Sequence, residues 1–248
     1  MERRSTSRPK ETRSAKRSRI DAEILDVART HLATDGAAAL SLRAIARELG
    51  MVSSAIYRYV ESRDELLTRL VTEAYDDLAD DVATAVVQVP SDSHRDRLRA
   101  IASAFRAWAV REPSRYALLY GSPVPGYHAP PERTVGPGTR VIALVVAQVE
   151  MAGQAGILTD GDPQPDGLDG AFDELRSTYG LHISDAQLVR TFVWWAGLIG
   201  VVGQEVFDGY GDSFNGIADA LFDNQLEVLI DQLIGGEGKV PPNTRPSE

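Results

Sequence analysis

Ser53 and Ser54 stand side by side three residues after a glycine, and Tyr57, Arg58 and Tyr59 follow within about one helical turn. Serine hydroxyls both donate and accept, so at the start of a helix lying in the major groove of DNA they can meet base edges. Tyr57, Arg58 and Tyr59 offer donors with no bidentate match to any one base, which suits phosphate oxygens. Ala55 lies in the same run and is counted with the DNA-facing set. Arg43 before the run and Arg63 after it are placed to grip the backbone on either side. The chemistry these residues imply is recognition of nucleic acid rather than bond making.

Two short helices must hold these side chains. Leu42, Ile45, Ala46 and Leu49 fall at i, i+3, i+4 and i+7, so one face of the first is apolar. Ser41 stands where an N-cap belongs, and Gly50 follows the last periodic residue, where a left-handed residue ends a helix cheaply. After Met51, Val52 and Ser53 a second helix buries Ile56 and Val60, and residues 53–59 are expected to form one rigid rod. Helix, short glycine-containing turn and helix make a helix-turn-helix, although an ordinary helical hairpin has the same spacing. Residues 20–33 repeat apolar positions at Ile24, Val27, Ala28 and Leu32, a supporting helix.

From Ser41 to Leu67 the chain resembles the tetracycline-repressor (TetR) family of bacterial transcription regulators. The matching residues are Ile45-Ala46, Gly50-Met51-Val52, Tyr57-Arg58-Tyr59-Val60 and Ser62-Arg63-Asp64-Glu65-Leu66. Val52 replaces the family's usual serine, Tyr59 its histidine and Val60 its phenylalanine. Tyr59 keeps a phosphate donor, whereas Val52 removes a helix cap that Ser53 is placed to replace one residue later. The segment RYALLYGSPVPGYHAP resembles a C-terminal domain of a subset of that family named for a Trp-His-Gly (WHG) motif; here the nearest match, Trp195-Ala196-Gly197, lacks the histidine. The resemblance implies an all-α fold, with a three-helix DNA-binding head and a larger helical body that binds an effector and dimerises.

The chain has 248 residues and a net charge of −10, an unpromising balance for a nucleic-acid partner. Residues 1–70, however, carry 14 Lys and Arg against 10 Asp and Glu, while the remainder carries 12 against 26. A basic end on an acidic body points one end at phosphate and turns the other away. No cysteine is present, which removes disulfides, zinc-thiolate sites and cysteine nucleophiles. The longest apolar run, 192–203, falls short of the ~20 residues of a membrane span, and no N-terminal signal pattern occurs. A cytoplasmic location without membrane association is expected.

Four parts follow from composition: a disordered basic arm at 1–19, the head at 20–65, the body at 66–236 and a disordered tail at 237–248. Ser62 with Glu65 reads as a capping box opening a long helix towards Pro90, the covalent link between head and body. A helix over 93–112 and a short one after Pro113 precede 121–138, whose five prolines and four glycines predict an irregular loop. Helix 140–155 is followed by a mobile acidic loop over 156–183. Its aspartates invite a calcium reading, but counted from Asp160, Pro165 replaces the turn glycine and Ala171 the bidentate glutamate of an EF-hand. No metal or cofactor site is expected.

Ser184 and Gln187 form another capping box. In the helix they open, Val189, Val193, Ala196, Gly200, Gly203 and Phe207 recur at steps of four and three, a seam small enough for close approach of another helix. The last helix, near 214–234, adds Leu221 and Leu229. In the TetR family the last two long helices pair with their symmetry mates, so these residues are the candidate homodimer interface. Phe105, Trp108, Tyr116, Tyr120, Tyr127 and Trp194 could line a pocket for a small apolar or aromatic effector, with His128 as a polar anchor. Aromatics at helical spacing also form plain core. The four histidines are scattered, and no HExxH pair, GxSxG elbow, Walker loop or dinucleotide glycine pattern occurs. The expected protein is a non-enzymatic, effector-responsive regulator, most simply a repressor, binding a near-palindromic double-stranded operator as a homodimer. The alternative is a helical small-molecule-binding or enzymatic protein whose head no longer reads DNA.

Overall fold

The computed structural model describes residues 12–158, 167–211 and 216–235, and every regular element among them is helical. The head comprises α1 (Arg13–Asp35), a 3-10 turn (Ala37–Ala39), α2 (Leu42–Glu48) and α3 (Ser53–Ile56). The connecting helix α4 (Arg63–Val87) leads to α5 (His94–Arg111), α6 (Pro113–Tyr120), α7 (Pro131–Gly138), α8 (Arg140–Gln154), α9 (Asp169–Tyr179), α10 (Asp185–Val206) and α11 (Ala218–Ile234). Two apolar cores result. Ile24, Ile45, Ile56, Val60 and Leu66 meet in the head, and Leu78, Ile101, Phe105, Trp108 and Leu198 are among those that meet in the body. Helix α4 feeds both, through Leu66 and Leu70 at its start and Ala74 to Val86 beyond.

Several expectations change. Residues 13–19 of the expected arm are helical: α1 begins at Arg13, because the Thr12 hydroxyl accepts from Ala15 N at 3.2 Å. Ion pairs Arg17–Asp21 and Arg19–Glu23, each four residues apart, support a stretch that has no apolar face. Residues 1–11 and the expected tail at 237–248 lie outside the described residues. Ser62 caps α4 by accepting from Glu65 N at 3.0 Å, but the Glu65 carboxylate turns to arginines instead of closing the box. Helix α7 arises inside the expected loop, since Pro131 at its first turn needs no amide partner there. Helix α9 arises inside the expected acidic loop by burying Phe172, and ends on left-handed Gly180. Residues 159–166 of that loop, which include Asp160 and Pro165, lie outside the described residues.

Helix α10 is long and apolar enough to cross a membrane by length and composition. One side of it packs on α11 and α5, which hold Trp194, Leu198 and Val202 in the core. A Cβ on Gly197 would lie 2.5 Å from Leu229 Cδ2, so the glycine sets the close approach of α10 and α11. Arg106, largely buried, makes a bidentate pair with Glu205 at 2.6 and 2.7 Å, reaches Asp219 at 2.7 Å and lies 4.8 Å from the Phe222 ring centroid. One side chain thus joins α5, α10 and α11.

Candidate nucleic-acid interface and body cavities

The turn before α3 depends on Gly50, whose φ of 64° is costly for residues with a Cβ. Ser41 caps α2 through Ala44 N, and Met51 N donates back to Ala46 O at 2.8 Å, closing the turn. Ile56 and Val60 are fully buried, which fixes the inner side of α3. Ser53, Ser54, Tyr57 and Arg58 consequently stay exposed, as does Arg43 on α2. Ala55 is half-buried. The recognition element is shorter than the expected rod: α3 ends at Ile56, and residues 57–59 continue as a turn with Tyr59 N donating to Ile56 O at 2.9 Å. Val52, not Ser53, is the N-cap residue and supplies no side-chain bond, so the expected replacement cap does not form.

Two members of the DNA-facing set have work inside the chain. Arg63 is not held out towards a phosphate. Its Nε donates to Leu40 O at 3.2 Å, and its Nη2 donates to Ala37 O at 3.0 Å and Ala38 O at 3.1 Å. These carbonyls belong to the turn between α1 and α2, where Ala37 O also accepts from Leu40 N at 3.4 Å. Tyr59 is half-buried and its ring centroid lies 5.9 Å from the Arg17 guanidinium. Arg17 also donates to Arg58 O at 3.3 Å, so the end of the turn is pinned to α1 by a residue that lay in the expected arm.

Below this surface Arg69 collects three elements. It donates to Tyr59 O at 2.9 Å and Glu65 Oε1 at 2.7 Å, and lies 3.7 Å from Asp21 of α1. Glu65 is also paired with Arg133 of α7. Burial alone would raise the Glu65 pKa, but the hydrogen bonds and charges of Arg133 and Arg69 outweigh it and hold the carboxyl below its ordinary value. A second tie joins the Thr68 and Tyr127 hydroxyls at 3.1 Å, and a third joins Arg140 of α8 to Asp76 at 2.8 Å and Asp80 at 2.5 Å.

The aromatic set expected to line a pocket is mostly core. Phe105, Trp108 and Tyr116 are fully buried and Trp194 is 1% exposed. Trp108 Nε1 donates to Asp77 at 2.9 Å and the Tyr116 hydroxyl donates to Ile199 O at 2.8 Å, while burial pushes the Tyr116 pKa up to about 12. Phe105, Tyr116, Tyr120 and Trp195 pack on one another edge-on or tilted, with centroids 5.2–6.3 Å apart. His128 is solvent-exposed. Two of the set border hollows: Tyr120 a groove of about 890 Å³ between the end of α1 and α6, and Tyr127 a hollow of about 340 Å³ beside Tyr75. An apolar cavity of about 500 Å³ lies elsewhere, between α8, α9 and α10, and none of the seven touches it. Among the described residues no three His, Asp or Glu side chains converge on a metal position.

The seam on α10 divides in two. Val193 and Phe207 are half exposed, Ala196 and Gly200 are exposed, and a Cβ on Gly200 would meet nothing within 4 Å. Val189, Gly203 and Leu221 are half-buried. Leu229 packs inward on Gly197, so on α11 the outward apolar residue is its neighbour Val228, with Ile217 just before the helix. Phe192 adds to the same outward strip on α10. These three were hidden because a seam written in steps of four and three does not show which neighbouring helix fills it.

A small helical head with buried Ile45 and Ile56, a tight glycine turn and an exposed hydroxyl-rich α3 defines a helix-turn-helix DNA-binding protein, built on an all-α body. Residues 24–70 match the family model for bacterial regulatory proteins of the tetR family, and residues 98–229 match the tetracyclin repressor-like C-terminal domain. The chain is 48% identical over 217 residues to the HTH-type transcriptional regulators Rv1816 of Mycobacterium tuberculosis and Mb1846 of Mycobacterium bovis, covering 86% of itself and 92% of each. The regulatory protein SCO4313 superposes with a TM-score of 0.72 at 33% identity, over 88% of this chain and 98% of that one. Bacillus subtilis FadR, solved with stearoyl-CoA, shares the fold at a TM-score of 0.60 and 13% identity, over 85% and 98%. The chain belongs to the TetR family of transcriptional regulators.

Proposed function

We propose that the protein works as a homodimer that holds a near-palindromic operator and releases it when a small apolar effector enters the body, most simply as a repressor in the cytoplasm. The observation that carries this reading is the division of exposed surface. The head offers Ser53, Ser54, Tyr57, Arg58 and Arg43 to a ligand, whereas α10 and α11 offer an apolar strip of Phe192, Val193, Ala196, Gly200 and Val228. Ser53 and Ser54 read base edges, and Arg43, Tyr57 and Arg58 hold phosphates. The strip meets its own symmetry copy, an isologous contact that sets two heads on half-sites roughly one helical turn apart.

The test is a gel shift against the DNA upstream of its own gene at two salt concentrations, with sedimentation to give the mass of the bound species. A protein-to-duplex ratio of two and a steep salt dependence are expected. A monomer on DNA, or no binding at low salt, would remove the reading. To empty an almost full operator, an effector must favour the released form by ~5.5 kcal/mol.

A further inference from the structure

We propose that the cavity between α8, α9 and α10 binds a lipophilic monocation, an amine with an apolar body, and that its ammonium group is held by Glu150. Helix α8 has two apolar sides. Val141, Val145, Val149 and Ala152 lie in the core, whereas Ile142, Ala143, Val146 and Ala147 face the cavity. A surface helix needs only one apolar side, and the second one here is roofed by Leu175 and Tyr179 of α9 and walled by Leu188 and Phe192 of α10. The space left between them, about 500 Å³, matches a drug-sized ligand.

Among the described residues Glu150 is the one charged side chain lining this cavity, and it is only 15% exposed. It accepts from His182 N at 2.9 Å, lies 3.2 Å from His182 Nδ1 and accepts from Gln154 Nε2 at 3.3 Å. No described Lys or Arg lines the cavity. A largely buried carboxylate without a permanent cation gains most from a cationic ligand and repels an anionic one. The body's acidic surplus, 26 Asp and Glu against 12 Lys and Arg beyond residue 70, draws the same ligand in. Occupancy can reach the head because α8 continues through a 43° bend into α7, and Arg140 and Arg133 tie these two helices to Asp76, Asp80 and Glu65 of α4. That last step rests on the regulator reading; binding itself does not.

Calorimetry of the full chain with octylamine, octanol and octanoate isolates the head group at constant apolar body. Octylamine should bind at least about tenfold more tightly than the other two, the size of one charge-assisted hydrogen bond. Glu150→Gln should erase the amine's advantage over the alcohol, and Ala147→Phe, which fills the cavity from an exposed position, should weaken all three. If a variant does not fold by circular dichroism, the wild-type ranking together with Ala143→Phe decides. Octanoate binding tightest, an unchanged ranking in Glu150→Gln, or no heat from any ligand would overturn the proposal. Operator binding by the ligand-free protein is scored separately, so its failure would strike the regulator reading and leave the calorimetry standing.

Discussion

Replacing Arg63 by alanine separates two jobs that an arginine next to a recognition helix can have. In this structure its guanidinium satisfies three backbone carbonyls, those of Ala37, Ala38 and Leu40, at 3.0–3.2 Å. Hydrogen bonds to a charged group contribute about 1.5–3 kcal/mol each in favourable cases. The three share one cation whose side chain is 30% exposed, so solvent screening reduces the sum to about 2–3 kcal/mol. For a chain of this size that corresponds to a fall in Tm of roughly 4–12 °C. Arg63→Lys should recover only part, because an ammonium lacks the planar fork that reaches all three carbonyls. Operator affinity should drop through loss of the ordered head, with the slope of log K against log salt unchanged. An arginine on phosphate behaves oppositely: stability stays constant and the slope flattens by ~0.9 for each phosphate no longer neutralised. Thermal melts and salt titrations of the same two variants decide. Unchanged Tm with a flatter slope would refute the assignment.

Other expectations concern the reading surface, the apolar strip and acid. Ser54→Ala should relax base preference in a binding selection while the salt slope holds, whereas Arg58→Ala should weaken all sequences alike and flatten the slope by ~0.9 per phosphate. Gly200→Arg should leave the fold intact, because nothing lies within 4 Å of its new Cβ, yet sediment as a monomer. Gly197→Ala should instead lower the melting temperature, since Leu229 must move. Hydrogen bonds from Arg99, then Arg95, hold the Glu227 pKa down to about 2 from an ordinary 4.5. A depressed folded-state pKa gives stability that is whole above pH 4.5 and is lost as pH falls towards 2. Glu227→Gln should therefore flatten the acid limb of the stability profile; because Glu227 is 40% exposed, the effect on overall stability at neutral pH should be under about 1 kcal/mol.

Much of the head was legible because its determinants are local. Ser41, Gly50 and the spacing of Leu42, Ile45 and Ala46 act within one or two turns, and the observed cap, left-handed glycine and buried face follow from them. The internal partners of Arg63 were not legible because they lie 23–26 residues away, and no periodicity reports them. The burial of most of the aromatic set was hidden for a related reason. Spacing shows which side of α5 and α6 is buried, not whether a ring is covered by protein or by a ligand. Helices α7 and α9 were missed because prolines and aspartates mark turns reliably, yet Pro131 sits in a first turn and Phe172 found a core to bury in. The cavity left no signal beyond a second apolar side on α8, which reads as ordinary burial until neighbouring helices are placed.

Arg69 touches α1, the end of the recognition turn and the start of α4 at once. That triple clasp makes the head a solid tool on a handle: the body can tip it as a whole, but cannot reshape its exposed face. On the proposed reading, a bound effector would then change how long any stretch of promoter is occupied, while the order of preference among promoters stays as it was.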